Sequence, residues 1–281
     1  AYRTQINDLL LTALARVITR WTGQQHALIR LEGHGREDLF DDLDLSRTVG
    51  WFSNLFPLRL TPASQIGESI KAIKEQLRAV PNKGIGYGVL RYLGSASVRQ
   101  SLGNLAQGAI VFNYLGQFDG SFAASDALFA PSSESAGDSQ DAAAPLAALL
   151  SINGQVYGGE LDLSWSFSRE VFATETIQRL ADEYASELRQ LIAHCGREDV
   201  AGMTPSDFPL VSLSQAQLDH LPLAAANVQD IYPLSPMQQG MLFHTLYEQE
   251  AGNYINQLRV AVSGLQPALL RDAWPVSYTH L

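Results

Sequence analysis

Residues 26–40 read HALIRLEGHGREDLF. Ala27, Leu28, Ile29 and Leu31 form an apolar run, which predicts a buried β-strand. The glycines after it end the strand in a softened polar segment, where Glu32, His34 and Arg36 occupy alternate positions. A carboxylate at the point where a strand leaves the core is a candidate for exchanging a proton with a substrate. It also fits a surface or salt-bridged carboxylate, and residue chemistry alone leaves both readings open. Arg36 is expected to pair with Glu32 or with another carboxylate.

The flanks alternate between helical and extended patterns. Before the strand, Ile6, Leu9, Leu10, Ala13, Leu14, Val17 and Ile18 recur at helical spacing and predict an amphipathic helix over 4–20, closed by Gly23. After it, GWFSNLFPLRL (residues 50–60) is a second strand in which Pro57 suits an edge or a bulge. SQIGESIKAIKEQLRAVP follows as a helix. Ser64 is its expected N-cap, Ile66, Ile70, Ile73 and Leu77 line one face, and Pro81 stops it. NKGIGYGVLRYLG is glycine-rich but has neither phosphate-loop nor dinucleotide spacing. GAIVFNYLGQF (residues 108–118) is a strand ending in Asn113 and Tyr114. Their amide and phenol can hold a carbonyl or a developing oxyanion, or make an ordinary strand-end hydrogen bond with core packing. Residues 119–145 read as a loop, 145–168 as two strands joined by glycines, and 174–194 as a long amphipathic helix.

Composition narrows the function. The 281 residues are 46% hydrophobic with a net charge of −10, which argues against nucleic acid as the main partner, since phosphate binding needs a basic surface. No apolar run approaches the ~18 residues of a membrane span. The single cysteine, Cys195, rules out an internal disulfide, fits a reducing cytoplasm and reads as a structural thiol. No metal site is expected.

Texture changes at residues 196–230, which are proline- and aspartate-bearing with little periodicity and read as a linker. YPLSPMQQGMLFHTLYEQ then starts a new helix with Ser235 as N-cap and Pro236 at its first position, and YINQLRVAVSGL alternates like a strand.

Five stretches in this order, YRTQINDLLLTALA, LEGHGRE, TVGWFSNLFPL, PNKGIGYGVLRY and FNYLGQFD, resemble the successive core motifs of epimerization domains of nonribosomal peptide synthetases. YPLSPMQQGMLFH resembles the opening motif of a condensation domain, and TPSDFPLVSLSQAQLDHL the connector between the two. The resemblance implies an α/β fold of the chloramphenicol-acetyltransferase-like class: a lobe of mixed sheet with packed helices, then part of a second domain of the same class. It assigns residues 1–195 to the C-terminal lobe of the epimerization domain, 196–228 to the linker and 229–274 to the start of the condensation domain.

The implied activity is that of an isomerase. An aminoacyl or peptidyl thioester loses its α-proton and regains one from the opposite face, passing from L to D. No cofactor is bound directly, since the substrate rides on the phosphopantetheine of an adjacent carrier domain. Glu32 matches the family's acid/base glutamate, and Arg36 an orienting or charge-pairing arginine. Asn113 and Tyr114 match a polar pair that contacts substrate or stabilises the intermediate. His34, in the same motif as Glu32, is read either as a substrate-binding residue or as one that points away from the glutamate and packs structurally. Implied partners are a peptidyl carrier protein domain, an upstream adenylation domain and a downstream condensation domain.

The family's second catalytic motif, HHxxxDG, is absent, and the six histidines stand singly. That motif belongs to an N-terminal lobe expected before Ala1, so the chain reads as a fragment carrying half an active site and inactive alone. The tail PVSYTHL (residues 275–281) resembles the translation of a transposon-type sequencing adapter, is expected to be non-native, and has a proline expected to halt the preceding helix. Two alternatives remain: a condensation domain that forms peptide bonds on the same fold, and a non-catalytic lobe that docks carrier proteins.

Overall fold

From Leu10 to Ala15 every side chain of α1 (Ile6–Thr22) is buried in the computed structural model. The amphipathic helix expected over 4–20 is thus enclosed nearly all round. It is packed by the sheet and by two further helices, and the expected inward residue Ile6 is exposed. The structure describes residues 1–117, 134, 137, 141, 144, 146, 148–247 and 257–279, and the loop expected at 119–145 lies almost wholly outside them.

Gly23 caps α1 in the left-handed conformation and turns the chain into β1 (Ala27–Gly33). Antiparallel to it runs β2 (Asn54–Leu60), at the edge of the sheet, where Pro57 is tolerated. In α2 (Ile66–Arg78) Ile70 and Ile73 are fully buried. Its N-cap is Gln65 rather than Ser64, whose carbonyl instead accepts from Arg16. The glycine-rich stretch forms helical turns, with α3 (Ile85–Gly88) between a 3₁₀ turn at Pro81–Gly84 and a π turn at Val89–Leu93. Ser95 caps α4 (Ala96–Gly103) through the amide of Val98. Then come β3 (Ile110–Gln117), β4 (Leu150–Tyr157) and β5 (Glu160–Phe167). Gly158 and Gly159, both at positive φ, turn β4 back into β5. The long α5 (Thr174–Cys195) buries Ile177, Leu180, Tyr184 and Leu191.

The five strands form one mixed sheet in the order β2-β1-β3-β4-β5. The inner pairs β1–β3 and β3–β4 are parallel, and both outer pairs are antiparallel. Ile29, Phe112 and Ile152 share the core with α1, α2 and α5. The opposite face, by strand alternation, carries Glu32, Asn113 and Asn153.

Residues 196–230, expected as a linker, have a small core of their own, Met203, Phe208, Leu218 and Val228, around the short helix α6 (Gln215–Asp219). This segment is fastened to α2 by Lys74–Asp207 at 2.6 Å and Lys71–Asp219 at 3.1 Å. The chain divides into two units, Ala1–Ile231 and Tyr232–Leu281. In the second, α7 (Pro236–Tyr247) begins as expected, with the Gln238 amide donating to Ser235 Oγ at 3.3 Å. Two expectations there need correction. The helix α8 (Pro267–Thr279) continues through Pro275, where a halt was expected. Residues 257–265 form no strand despite their alternation, because no neighbouring strand pairs with them among the described residues; 254–256 lie outside the description. Among the described residues no helix is long and apolar enough to cross a membrane.

Candidate functional site

Parallel pairing builds the site. Leu31 of β1 stands opposite Phe112 of β3, so one step further places Glu32 beside Asn113. The Asn113 Nδ2–H donates to Glu32 Oε2 at 3.2 Å, and both residues are half-buried. The amide engages one carboxylate oxygen, Oε2, and so orients the group. Asn153 lies in register with Asn113 on the next strand and extends the polar row. Tyr114 follows the opposite alternation and packs against the helix-covered core. Burial pushes its phenol up from the ordinary tyrosine value, which keeps it neutral. The structure therefore joins Glu32 with Asn113 and places Tyr114 across the sheet from them.

Arg36 does not pair with Glu32. Its guanidinium donates to the carbonyls of Leu45 at 2.7 Å, Thr48 at 2.8 Å and Gly50 at 3.3 Å, and lies 4.3 Å over the Phe52 ring. The loop between β1 and β2 lacks ladder partners for these carbonyls, and a fixed fork of donors satisfies several at once. His34 is likewise turned into this loop. Its Nδ1 accepts from the Arg36 amide at 3.0 Å, and its Nε2 lies 3.1 Å from Glu37 Oε1. Sequence reasoning gave no role to Glu37 or Lys83, yet Lys83 Nζ reaches Glu37 Oε2 at 2.8 Å. Membership of Glu37 in LEGHGRE and of Lys83 in PNKGIGYG was the only signal available. Among the described residues no cluster suited to a metal ion occurs.

Gly35 makes the loop possible. It is left-handed at φ 68°, and a Cβ there would stand 1.7 Å from the Phe52 carbonyl oxygen. Gly23 has nearly the same φ, 66°, with nothing within 4 Å of its Cβ direction. Gly23→Ala is therefore expected to cost only the left-handed penalty of about 1–2 kcal/mol. Gly35→Ala adds a backbone collision and should lower the thermal midpoint further. Paired melting curves check this, and equal midpoints would contradict it.

Residues 1–208 match the family model described as the condensation domain. A linear gramicidin synthase of Brevibacillus parabrevis is 46% identical over 276 residues, covering 97% of this chain and 4% of that protein. A mycosubtilin synthase of Bacillus subtilis is 42% identical over 270 residues, covering 94% of this chain and 10% of that protein. Among solved structures, the epimerization domain from the third module of tyrocidine synthetase B is 38% identical with a TM-score of 0.61. That likeness covers 68% of this chain and 42% of the other. The chain thus spans a tenth or less of these curated relatives, and under half of that solved domain. The mixed sheet with its packed helices has the chloramphenicol-acetyltransferase-like fold.

Proposed function

This chain belongs to the condensation-domain family of nonribosomal peptide synthetases, and from that premise we propose that it supplies the Glu32-bearing lobe of an epimerization domain. The substrate is an aminoacyl or peptidyl thioester presented on the phosphopantetheine of a carrier domain. The Glu32 carboxylate takes the α-proton, and the C–H electron pair moves onto the thioester carbonyl to give an enolate-like oxygen. A second group returns a proton to the opposite face of the α-carbon. The resemblance assigns that group to the HHxxxDG histidine, which these 281 residues do not contain. Asn113 holds the carboxylate in the direction it must act.

The observation that carries this reading is the 3.2 Å hydrogen bond between Asn113 and Glu32. It joins LEGHGRE to FNYLGQFD, two motifs remote in sequence, as an oriented acid/base residue requires. The 38% identity to an epimerization domain supports it further. So does the glutamate pattern itself, which condensation domains usually lack.

The test uses the synthetase module to which this reading assigns the chain, its carrier charged with an α-deuterated aminoacyl group. Deuterium should wash out into solvent and the D/L ratio should move toward equilibrium, whereas the 281-residue chain alone should do neither. Peptide-bond formation without wash-out would replace the isomerase reading by a condensation domain. Carrier capture with no turnover of either kind would replace it by a docking scaffold.

A further inference from the structure

Asn82 (φ 45°, ψ 40°) and Lys83 (φ 49°, ψ 34°) are consecutive left-handed residues that are not glycine, followed by Gly84 at φ 81°. Such backbone persists only where its surroundings over-determine it, and it clusters at functional sites. Here the surroundings belong to the candidate site. The Lys83 carbonyl lies against Gly33, 3.6 Å from where a Cβ on that glycine would stand, and Gly33 directly follows Glu32. A Cβ on Gly84 would stand 2.3 Å from the ring of Phe56, the residue opposite Leu31 in the β1–β2 ladder. Lys83 Nζ holds Glu37 Oε2 at 2.8 Å, while the other oxygen of Glu37 meets His34 Nε2 at 3.1 Å. Glu37 is only 12% exposed although Lys83 is 73% exposed, so the carboxylate is the buried member of this latch.

We propose that Lys83 and Glu37 are positioning residues: their ion pair pins the strained turn across Gly33 and so fixes the direction in which Glu32 leaves β1. This rests on the epimerization reading. An exposed ion pair ordinarily contributes little to stability. The role assigned here is geometric, because displacing a catalytic group by a fraction of its reach slows chemistry without weakening substrate binding.

The experiment measures α-deuterium wash-out by the module with a separately added, charged carrier domain over a range of concentrations, with rates referred to the folded fraction read from melting curves. Lys83→Met and Glu37→Gln should each lower kcat by about ten- to a hundredfold with KM for the carrier unchanged. Lys83→Arg should keep most of the wild-type rate, since it preserves the positive charge opposite Glu37. The swap of Lys83→Glu with Glu37→Lys should recover most of the loss, as coupled partners do. The swap and Lys83→Arg decide the matter even if Lys83→Met folds poorly. A raised KM with intact kcat would make Lys83 a carrier contact and overturn the proposal. So would losses in the single variants that neither the swap nor Lys83→Arg recovers. A wild-type module without wash-out overturns the epimerization reading itself, and this proposal with it.

Discussion

Glu32→Gln in the synthetase module is expected to lower α-deuterium wash-out by about 10²–10⁴-fold, the range that general acid–base groups supply. The substitution keeps the shape of the side chain. Asn113 Nδ2–H, which donates to Glu32 at 3.2 Å in the native chain, can still donate to the glutamine oxygen. The half-buried position at the end of β1 needs no repacking, so the thermal midpoint should stay at its native value while the proton acceptor is gone. Loss of turnover at constant stability assigns the chemistry to the carboxylate. Retained wash-out would remove Glu32 from the mechanism and leave the Asn113 contact as a strand-end hydrogen bond.

Asp207→Ala is expected to cost about 3–5 kcal/mol, which is what breaking one side of a buried ion pair typically does. Lys74 is 1% exposed, and its ammonium donates to Asp207 Oδ1 at 2.6 Å and to the Tyr2 carbonyl at 3.0 Å. The other Asp207 oxygen accepts from the Thr204 amide at 2.9 Å and its hydroxyl at 3.2 Å. Removing the carboxylate strands a charge inside α2 and uncaps the turn after Thr204 at once. The midpoint should fall by roughly 6–20 °C for a unit of this size. Adding Lys74→Met, which removes the stranded charge, should recover much of that fall. A midpoint unmoved by Asp207→Ala would show that the Lys74–Asp207 pair does not hold this segment to α2.

What could be read from sequence follows the range of the interactions involved. Local periodicity was enough for α1, β1, α2 and α5, and for the cap at Ser235, because each pattern closes within a few turns or a single strand. Pairing across the sheet left no such trace. Glu32 and Asn113 were each legible as polar residues at strand ends, but their contact depends on β1 and β3 becoming parallel neighbours across 81 residues. Arg36 misled for a different reason. Its partners are main-chain carbonyls of Leu45, Thr48 and Gly50, which carry no side-chain signature, so a carboxylate partner was the natural expectation. The Lys83–Glu37 pair was hidden in the same way, its two halves lying in separate motifs. Residues 196–230 read as unpatterned because Met203, Phe208, Leu218 and Val228 bury themselves at irregular intervals, with no helical or strand period.

The parallel centre of the sheet also has a consequence for synthesis on the ribosome. At about 5–20 residues per second, Asn113 emerges on the order of 4–16 s after Glu32, given their sequence separation of 81. Until then the β1–β2 ribbon has an open edge where β3 will dock, and an unpaired edge invites pairing with other nascent chains. Keeping that edge unpaired until β3 arrives is what lets the parallel pairing form that later sets Asn113 against Glu32.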